Sequence, residues 1–223
     1  TVPASVVPSF DAAIAPQDTT GGYYQHIGAA QITISNAESQ YGAAITAYRI
    51  AGGEGTDAST ASVTTEPFAQ SGDHAYTLTV TDSRGRTASQ VVHANVASVS
   101  PVAIQVFAVQ RYSTVIGDDG LPDYVASGDG DHVWVTILAT ADLAGGNNAP
   151  TAKILYGVTG GTQTQVSVAW GSNATLSRTD DRAVITAQVP VTDAYFFALV
   201  VEDGFSTATL SAYISQSWAA LHI

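Results

Sequence analysis

The sequence predicts a soluble all-β protein made of two tandem antiparallel β-sandwiches. Three observations predict it. Polar and apolar residues alternate with a period of two, glycine-rich turns separate the alternating segments, and one pattern occurs twice. The alternation is clear in Gln31-Ile32-Thr33-Ile34-Ser35, in Tyr76 to Thr81, in His132 to Ile137 and in Thr164 to Val168. Strict alternation over such lengths describes strands with one wet and one buried face. Val, Ile, Thr and Tyr dominate these segments, and they suit a pleated surface. Gly52-Gly53, Gly145-Gly146-Asn147-Asn148 and Gly160-Gly161 supply turns. No segment of helical length keeps a 3.6-residue period, and the Ala12-Ala13-Ala15 stretch is flanked by Pro8 and Pro16.

The repeat sets the domain organisation. Ala75-Tyr76-Thr77-Leu78-Thr79-Val80-Thr81-Asp82 is followed by a Gly85 turn and a small-residue strand. Ala194-Tyr195 to Glu202-Asp203 is followed by a Gly204 turn and another such strand. A fainter echo pairs Ala44–Gly53 with Ala152–Gly161, each closing on Gly-Gly. Two copies in one order predict two similar domains, 1–100 and 101–223, hinged near Ala97-Ser98-Val99-Ser100-Pro101. In an immunoglobulin-like sandwich this pattern is the final hairpin. Tyr76, Leu78 and Val80 would then share a core face, as would Tyr195, Phe197, Leu199 and Val201. The Asp82 carboxylate would accept hydrogen bonds from turn amides, Gly85 would supply a positive φ where the turn needs one, and Arg84 and Arg86 would be solvated.

Composition excludes several function classes. The net charge is −12, with seven Lys plus Arg among 223 residues and a single lysine, Lys153. Nucleic-acid binding needs clustered cations to displace counterions, and an anionic membrane surface attracts cations for the same reason, so neither partner is expected. The chain has no run apolar enough for a membrane-spanning helix. It has no Cys, which removes disulfides, zinc–thiolate sites and thiol nucleophiles. The opening Thr1-Val2-Pro3, with no initiator Met and no signal-type stretch, predicts a processed product or an excised fragment.

Several stretches, taken in order, carry a family resemblance. They are Gln40-Tyr41-Gly42-Ala43-Ala44-Ile45-Thr46-Ala47-Tyr48, the hairpin Asp82-Ser83-Arg84-Gly85-Arg86, a strand from Pro101 to Arg111, and the closing segment Ile214–Ile223. Together they resemble the minor structural proteins of siphophage tails that infect Gram-positive bacteria. One departure is Arg111-Tyr112, where that family often has Arg-Cys. The resemblance implies a non-enzymatic tail component, structural or associated with receptor binding. It further implies location in the virion, other tail proteins as partners, a homo-oligomeric assembly and contact with a host cell-surface glycan. It carries over no catalytic residue. Val-Thr-Asp-x-x-Gly also occurs in immunoglobulin-like repeats of bacterial surface proteins. A surface or secreted adhesin or stalk therefore stands as an alternative, as does a carbohydrate-binding accessory domain.

The chain lacks the nucleophile-elbow, zinc-protease, phosphate-loop and dinucleotide-binding motifs, and no cofactor is expected. Its carboxylate pairs, Asp118-Asp119, Asp180-Asp181 and Glu202-Asp203, are adjacent in sequence. On a strand such neighbours face opposite ways, so they do not form an acid–base couple. The histidines (His26, His74, His93, His132 and His222) show no metal-ligand spacing. Residues 112–131 read as a long acidic loop. Its Asp118, Asp119, Asp123, Asp129 and Asp131 are candidate Ca²⁺ ligands, although the spacing is not that of an EF-hand. The competing reading is a solvated hairpin loop that discourages edge-to-edge pairing. Tyr23, Tyr24, Trp134, Trp170 and Trp218 could build a sugar-stacking platform or simply fill cores. Trp170 is in phase with Val166 and Val168 and is expected inside. Trp134 is out of phase with Val133, Val135 and Ile137, which makes it the candidate for surface contact.

Overall fold

The computed structural model describes residues 6–17 and 21–216. Among them the regular secondary structure is all strand except for one short 3-10 turn at Ala144–Gly146. Two compact units divide the chain. One runs to Val99 and includes Ala144–Asn147, and the other runs from Ser100 to Leu143 and resumes at Asn148.

The first unit contains β1 (Ser9–Pro16), β2 (Tyr23–Tyr24), β3 (Ala30–Glu38), β4 (Ile45–Gly52), β5 (Thr56–Ala58), β6 (Ser62–Thr64), β7 (Gly72–Asp82) and β8 (Thr87–Ala97). One sheet has the order β1-β3-β6 and the other β2-β8-β7-β4-β5. Every pairing is antiparallel except the two-residue contact of β2 with β8. The second unit contains β9 (Ala103–Ile116), β10 (Pro122–Ala126), β11 (His132–Thr140), β12 (Thr151–Val158), β13 (Thr164–Val168), β14 (Thr175–Asp181), β15 (Tyr195–Glu202) and β16 (Thr207–Ile214). Its sheets are β10-β9-β11-β14 and β13-β12-β15-β16.

The two strand orders superimpose in sequence. β1, β3 and β6 correspond to β9, β11 and β14, while β5-β4-β7-β8 corresponds to β13-β12-β15-β16. Three strands in one layer and four in the other, with the chain crossing between layers after the second strand, is the Greek-key order of immunoglobulin-like and fibronectin-like sandwiches. β10 is an addition particular to the second unit.

Each core follows from the alternation. On β7, Tyr76, Leu78 and Val80 are all buried, and they pack with Ile32, Ile50, Phe68 and Val96. On β15, Tyr195, Phe197, Leu199 and Val201 are buried among Val133, Val135, Ile137 and Ile154. Full burial of one such aliphatic or aromatic side chain contributes about 1.5–3 kcal/mol. Trp170 also lies inside, its indole N–H donating to Asn173 O at 2.8 Å.

The repeated Asp organises the hairpin that follows. Asp82 is 1% exposed. Its Oδ1 accepts from the amides of Arg84 (2.9 Å) and Arg86 (3.0 Å), and its Oδ2 from Arg86 Nε (3.0 Å) and the Ser39 hydroxyl (3.0 Å). Gly85, at φ 74°, closes the turn. Burial alone would raise the Asp82 carboxyl, but the Arg86 and Arg84 amides, the Arg86 guanidinium and Ser39 outweigh it and hold the pKa at about 2. Asp203 plays the same part in the second unit. Its Oδ1 accepts from the amides of Phe205 (3.0 Å) and Ser206 (2.7 Å), and its Oδ2 from Asn148 Nδ2 (2.9 Å). Burial opposes ionisation there too, but Asn148 and these amides keep the carboxyl below its ordinary range.

Two expectations are corrected. Arg84 and Arg86 are not simply solvated. Arg86 Nη2 pairs with Asp82 Oδ2 at 2.8 Å while Nη1 donates to Val6 O. Arg84 donates to the carbonyls of Gln40 (3.0 Å) and Tyr41. A carboxylate and several carbonyls converge there, so the guanidinium groups serve as donors and do not float free. Residues 112–131, read as a loop, instead contain the end of β9 and all of β10, paired from Ile116↔Pro122 to Ala126↔Tyr112. Val115, Ile116, Leu121, Tyr124 and Val125 are exposed on both faces of that hairpin, so no period-two contrast marks it in the sequence.

Arg111 supplies the second unit with a buried cation, 4% exposed. Its guanidinium donates to Gly130 O (3.1 Å), Pro190 O (3.1 Å) and Val189 O. Burial lowers its pKa, with Tyr195 and Asp131 acting in the opposite sense. Gly130 is required beside it, because a Cβ there would lie 2.0 Å from Tyr112 O.

Leu78→Ala should cost about 2–5 kcal/mol in a denaturant melt, as for a buried core leucine. Arg111→Met should cost about 2–4 kcal/mol, because it leaves buried carbonyls without donors. The Asp82 pKa of about 2 lies below the ordinary 3.8. Its stabilisation is therefore fully present above pH 3.8 and is lost as pH falls through about 2. Asp82→Asn should lower the melting temperature at neutral pH and flatten its decline across that acid window.

Candidate functional site

The outer face of the β10-β9-β11-β14 sheet carries the densest aromatic cluster among the described residues of the second unit. Alternation on β11 turns Val133, Val135 and Ile137 inward and leaves His132, Trp134 and Thr136 outside. Register then selects their neighbours. His132 opposes Tyr112, Trp134 opposes Gln110, and on the hairpin Tyr124 opposes Thr114. Directly opposed residues share a face, so Tyr112, Tyr124 and Trp134 meet on the outside.

Tyr112 is the hub. Trp134 stacks on it at 5.4 Å and 13°, Tyr124 meets it edge-on at 5.6 Å, and His132 lies 5.8 Å away. That covering explains why Tyr112 is buried although it sits on an outer face. The Trp134 indole N–H donates to Gln110 Oε1 at 3.4 Å. Trp134 is thus on the outside, as its phase requires, but half-buried and used as a wall behind Tyr112.

The polar side of the site comes from a break in β14. The β11–β14 register shifts between Val135 and Ile137, and Asp180 adopts φ 47°, an uncommon conformation for a residue with a side chain. The Thr136 hydroxyl donates to Asp180 Oδ1 (3.1 Å) and accepts from the Asp180 amide (3.3 Å), which holds the bulge in place. Just beyond it, Arg182 lays its guanidinium carbon 3.3 Å over the Tyr124 ring, a cation–π contact. A groove of about 650 Å³ results, lined by Tyr112, Tyr124, Arg178, Asp180, Asp181 and Arg182 among others. Asp181 lies 3.8 Å from Arg178 Nε and accepts from the Ala183 amide at 2.9 Å.

The five candidate Ca²⁺ ligands are divided between the two ends of β10. Asp118, Asp119 and Asp123 are at the hairpin tip, where Asp119 accepts from the Leu121 amide (3.0 Å). Asp129 and Asp131 follow the base, where Asp131 engages His132 (2.7 Å) and Gln188 (3.1 Å). The five-residue strand between them spans about 16 Å, too far for one ion to bridge. Among the described residues no group of three or more His, Cys, Asp or Glu gathers in a geometry that could hold a metal ion. Of the other carboxylate pairs, Glu202 and Asp203 are separated in their tasks: Glu202 pairs with Lys153 at 2.9 Å while Asp203 serves the hairpin. The bulge brings Asp180 and Asp181 to the same groove, against the expectation that strand neighbours face opposite ways.

The aromatics named for a sugar-stacking platform have separate placements. Tyr23 packs edge-on against Phe68 in the first unit, Trp170 is core, and Trp218, with His222 and the rest of the closing motif from Ser217, lies outside the described residues. Tyr112, Tyr124, Asp180 and Arg182 are site residues that sequence reasoning missed. A hairpin reading of 112–131 would have placed the two tyrosines together. Nothing in the sequence marks the bulge that delivers Arg182.

No protein-family model matches the chain, and no curated protein matches it. Solved structures similar to it include one described as concerning the promiscuous specificity of carbohydrate-binding modules of the β-sandwich superfamily. That likeness has 11% identity and a TM-score of 0.37, covering 96% of this chain and 98% of the other. A two-domain fibronectin type III segment of chicken tenascin is similar at 11% identity and a TM-score of 0.28, covering 93% of this chain and 99% of that one. At these scores the overlays carry no argument about function.

Proposed function

We propose that the chain is a non-enzymatic structural component of a bacteriophage tail, in which tandem sandwiches serve as spacers that hold other modules in place. One observation supports this above others. Two of the four stretches that carry the resemblance to tail proteins, Gln40–Tyr48 and Asp82–Arg86, fasten to each other. Arg84 donates to Gln40 O and Tyr41 O, the Ser83 amide donates to Ala44 O at 2.8 Å, and Ser39 reaches Asp82. These residues form one tied end of a sandwich, a mechanical role that suits a spacer. The partners in this reading are other tail proteins and further copies of the chain, since symmetric assemblies repeat a modest interface many times.

Proteomics and immunogold labelling of purified phage particles test the reading, and the chain should be found in the tail. Its presence on the wall of cells that carry no prophage, and its absence from particles, would replace the tail reading with that of a surface adhesin or stalk.

A further inference from the structure

We infer that the groove on the outer face of the second unit is a binding site for a neutral saccharide. The inference rests on the Tyr124–Arg182 groove and stands independently of the tail reading, which concerns where the chain is assembled. Three features point to this ligand class.

The first is the mixture of surfaces. Tyr124 is 42% exposed, so its ring offers a ligand apolar surface beside the polar rim. Tyr112, braced by Trp134, holds that ring edge-on, and Arg182 covers it from one side. A braced ring overlaid by a guanidinium suits a ligand that is apolar on its faces and polar on its rim. The second feature is charge. Arg178 and Arg182 are two of only seven cations in a chain of net charge −12, yet both line this groove. Asp180 and Asp181 line it too and cancel them. An anionic ligand would meet two carboxylates and the field of an acidic protein, and a cationic one would meet two guanidinium groups. A neutral polyhydroxyl ligand meets paired donors and acceptors and needs no net charge. The third feature is size and build. The groove volume, about 650 Å³, lies in the range of about 300–1,000 Å³ usual for small-ligand sites. The Asp180 conformation at φ 47° is held by Thr136 on the same outer face, so the polar rim is set by a structured bulge rather than a loose loop.

The test is titration of the intact chain with neutral oligosaccharides of glucose, galactose and N-acetylglucosamine, each to about 10 mM, beside a uronic-acid oligosaccharide, read by calorimetry. Saturable binding to at least one neutral sugar is expected. Tyr124→Ala and Arg182→Ala should each weaken it about tenfold, with unchanged melting temperature because both side chains are exposed. Tyr213→Ala, at an exposed tyrosine of β16 that does not line this groove, should leave affinity unchanged. Should Tyr124→Ala disturb the fold, Arg182→Ala alone decides. The inference is overturned by absence of saturation with every neutral sugar, by binding confined to the acidic one, or by neutral-sugar affinity that survives both substitutions.

Discussion

A carboxylate at the end of a core strand, buried at Asp82 and half-buried at Asp203, sets the order of each sandwich. β7 and β15 carry the central apolar face of their units; β7 ends on Asp82, and Asp203 follows the last residue of β15. A strand that ends in the interior leaves amide donors of the reversing turn with no ladder partner, and unpaired buried donors are costly. Asp82 and Asp203 satisfy those donors from the strand side. Each takes two amides on one oxygen and a side-chain donor on the other. The hairpin is thereby fixed, the register of β7 with β8 and of β15 with β16 follows, and the face presented to the core follows from register. The carboxylate tolerates burial because its hydrogen bonds favour the ionised form more than desolvation penalises it.

Arg111 solves the inverse problem in the second unit. β9 has to pass a point where the chain from Gly130 and the chain near Val189 both turn carbonyl oxygens inward. A guanidinium offers five donors in a fixed fork and stays charged, so one side chain serves several acceptors. The price is a backbone approach so close that position 130 excludes any side chain. This accounts for the Asp129-Gly130-Asp131 stretch without a metal: the glycine is set by β9, and Asp131 is engaged by His132 and Gln188.

The sandwich class and the core faces were legible because burial on one side writes a period of two into the residues. Tyr76, Leu78, Val80 and their counterparts on β15 show this directly, and Trp134 and Trp170 were assigned to the correct sides by phase alone. The role of Asp82 was legible because an Asp before a glycine turn has few other tasks. The β9–β10 hairpin was not legible, since a ribbon exposed on both faces has no pattern to write. The pairing of Arg84 with Gln40 and Tyr41 was hidden for another reason. It is a contact across more than forty residues, set by topology and not by local sequence. The groove combines both obstacles, with Tyr112 and Tyr124 on the unreadable hairpin and Arg182 delivered by a bulge.

That bulge shows how a binding face can be added to such a sandwich without disturbing its core. The inward residues of β11 and β14, Val133, Val135, Ile137 and Leu176, remain in phase on either side of the register shift. Only the outward positions change, and the extra residue, Asp180, leans on Thr136, which already faced solvent. The same holds for β10, which extends the sheet at its free edge beyond β9 and buries none of its own residues. Both additions therefore fall on surface that stability leaves unconstrained. The first unit adds only the two-residue β2 to the shared strand order, while the second carries that order with a hairpin and a bulge that bring three aromatic rings and two arginines to one face. A fold whose interior is fixed by alternation, and whose turns are fixed by one carboxylate each, can vary its outer faces freely. The outer face of β9, β10, β11 and β14 departs from the shared order in a way that the two cores do not require.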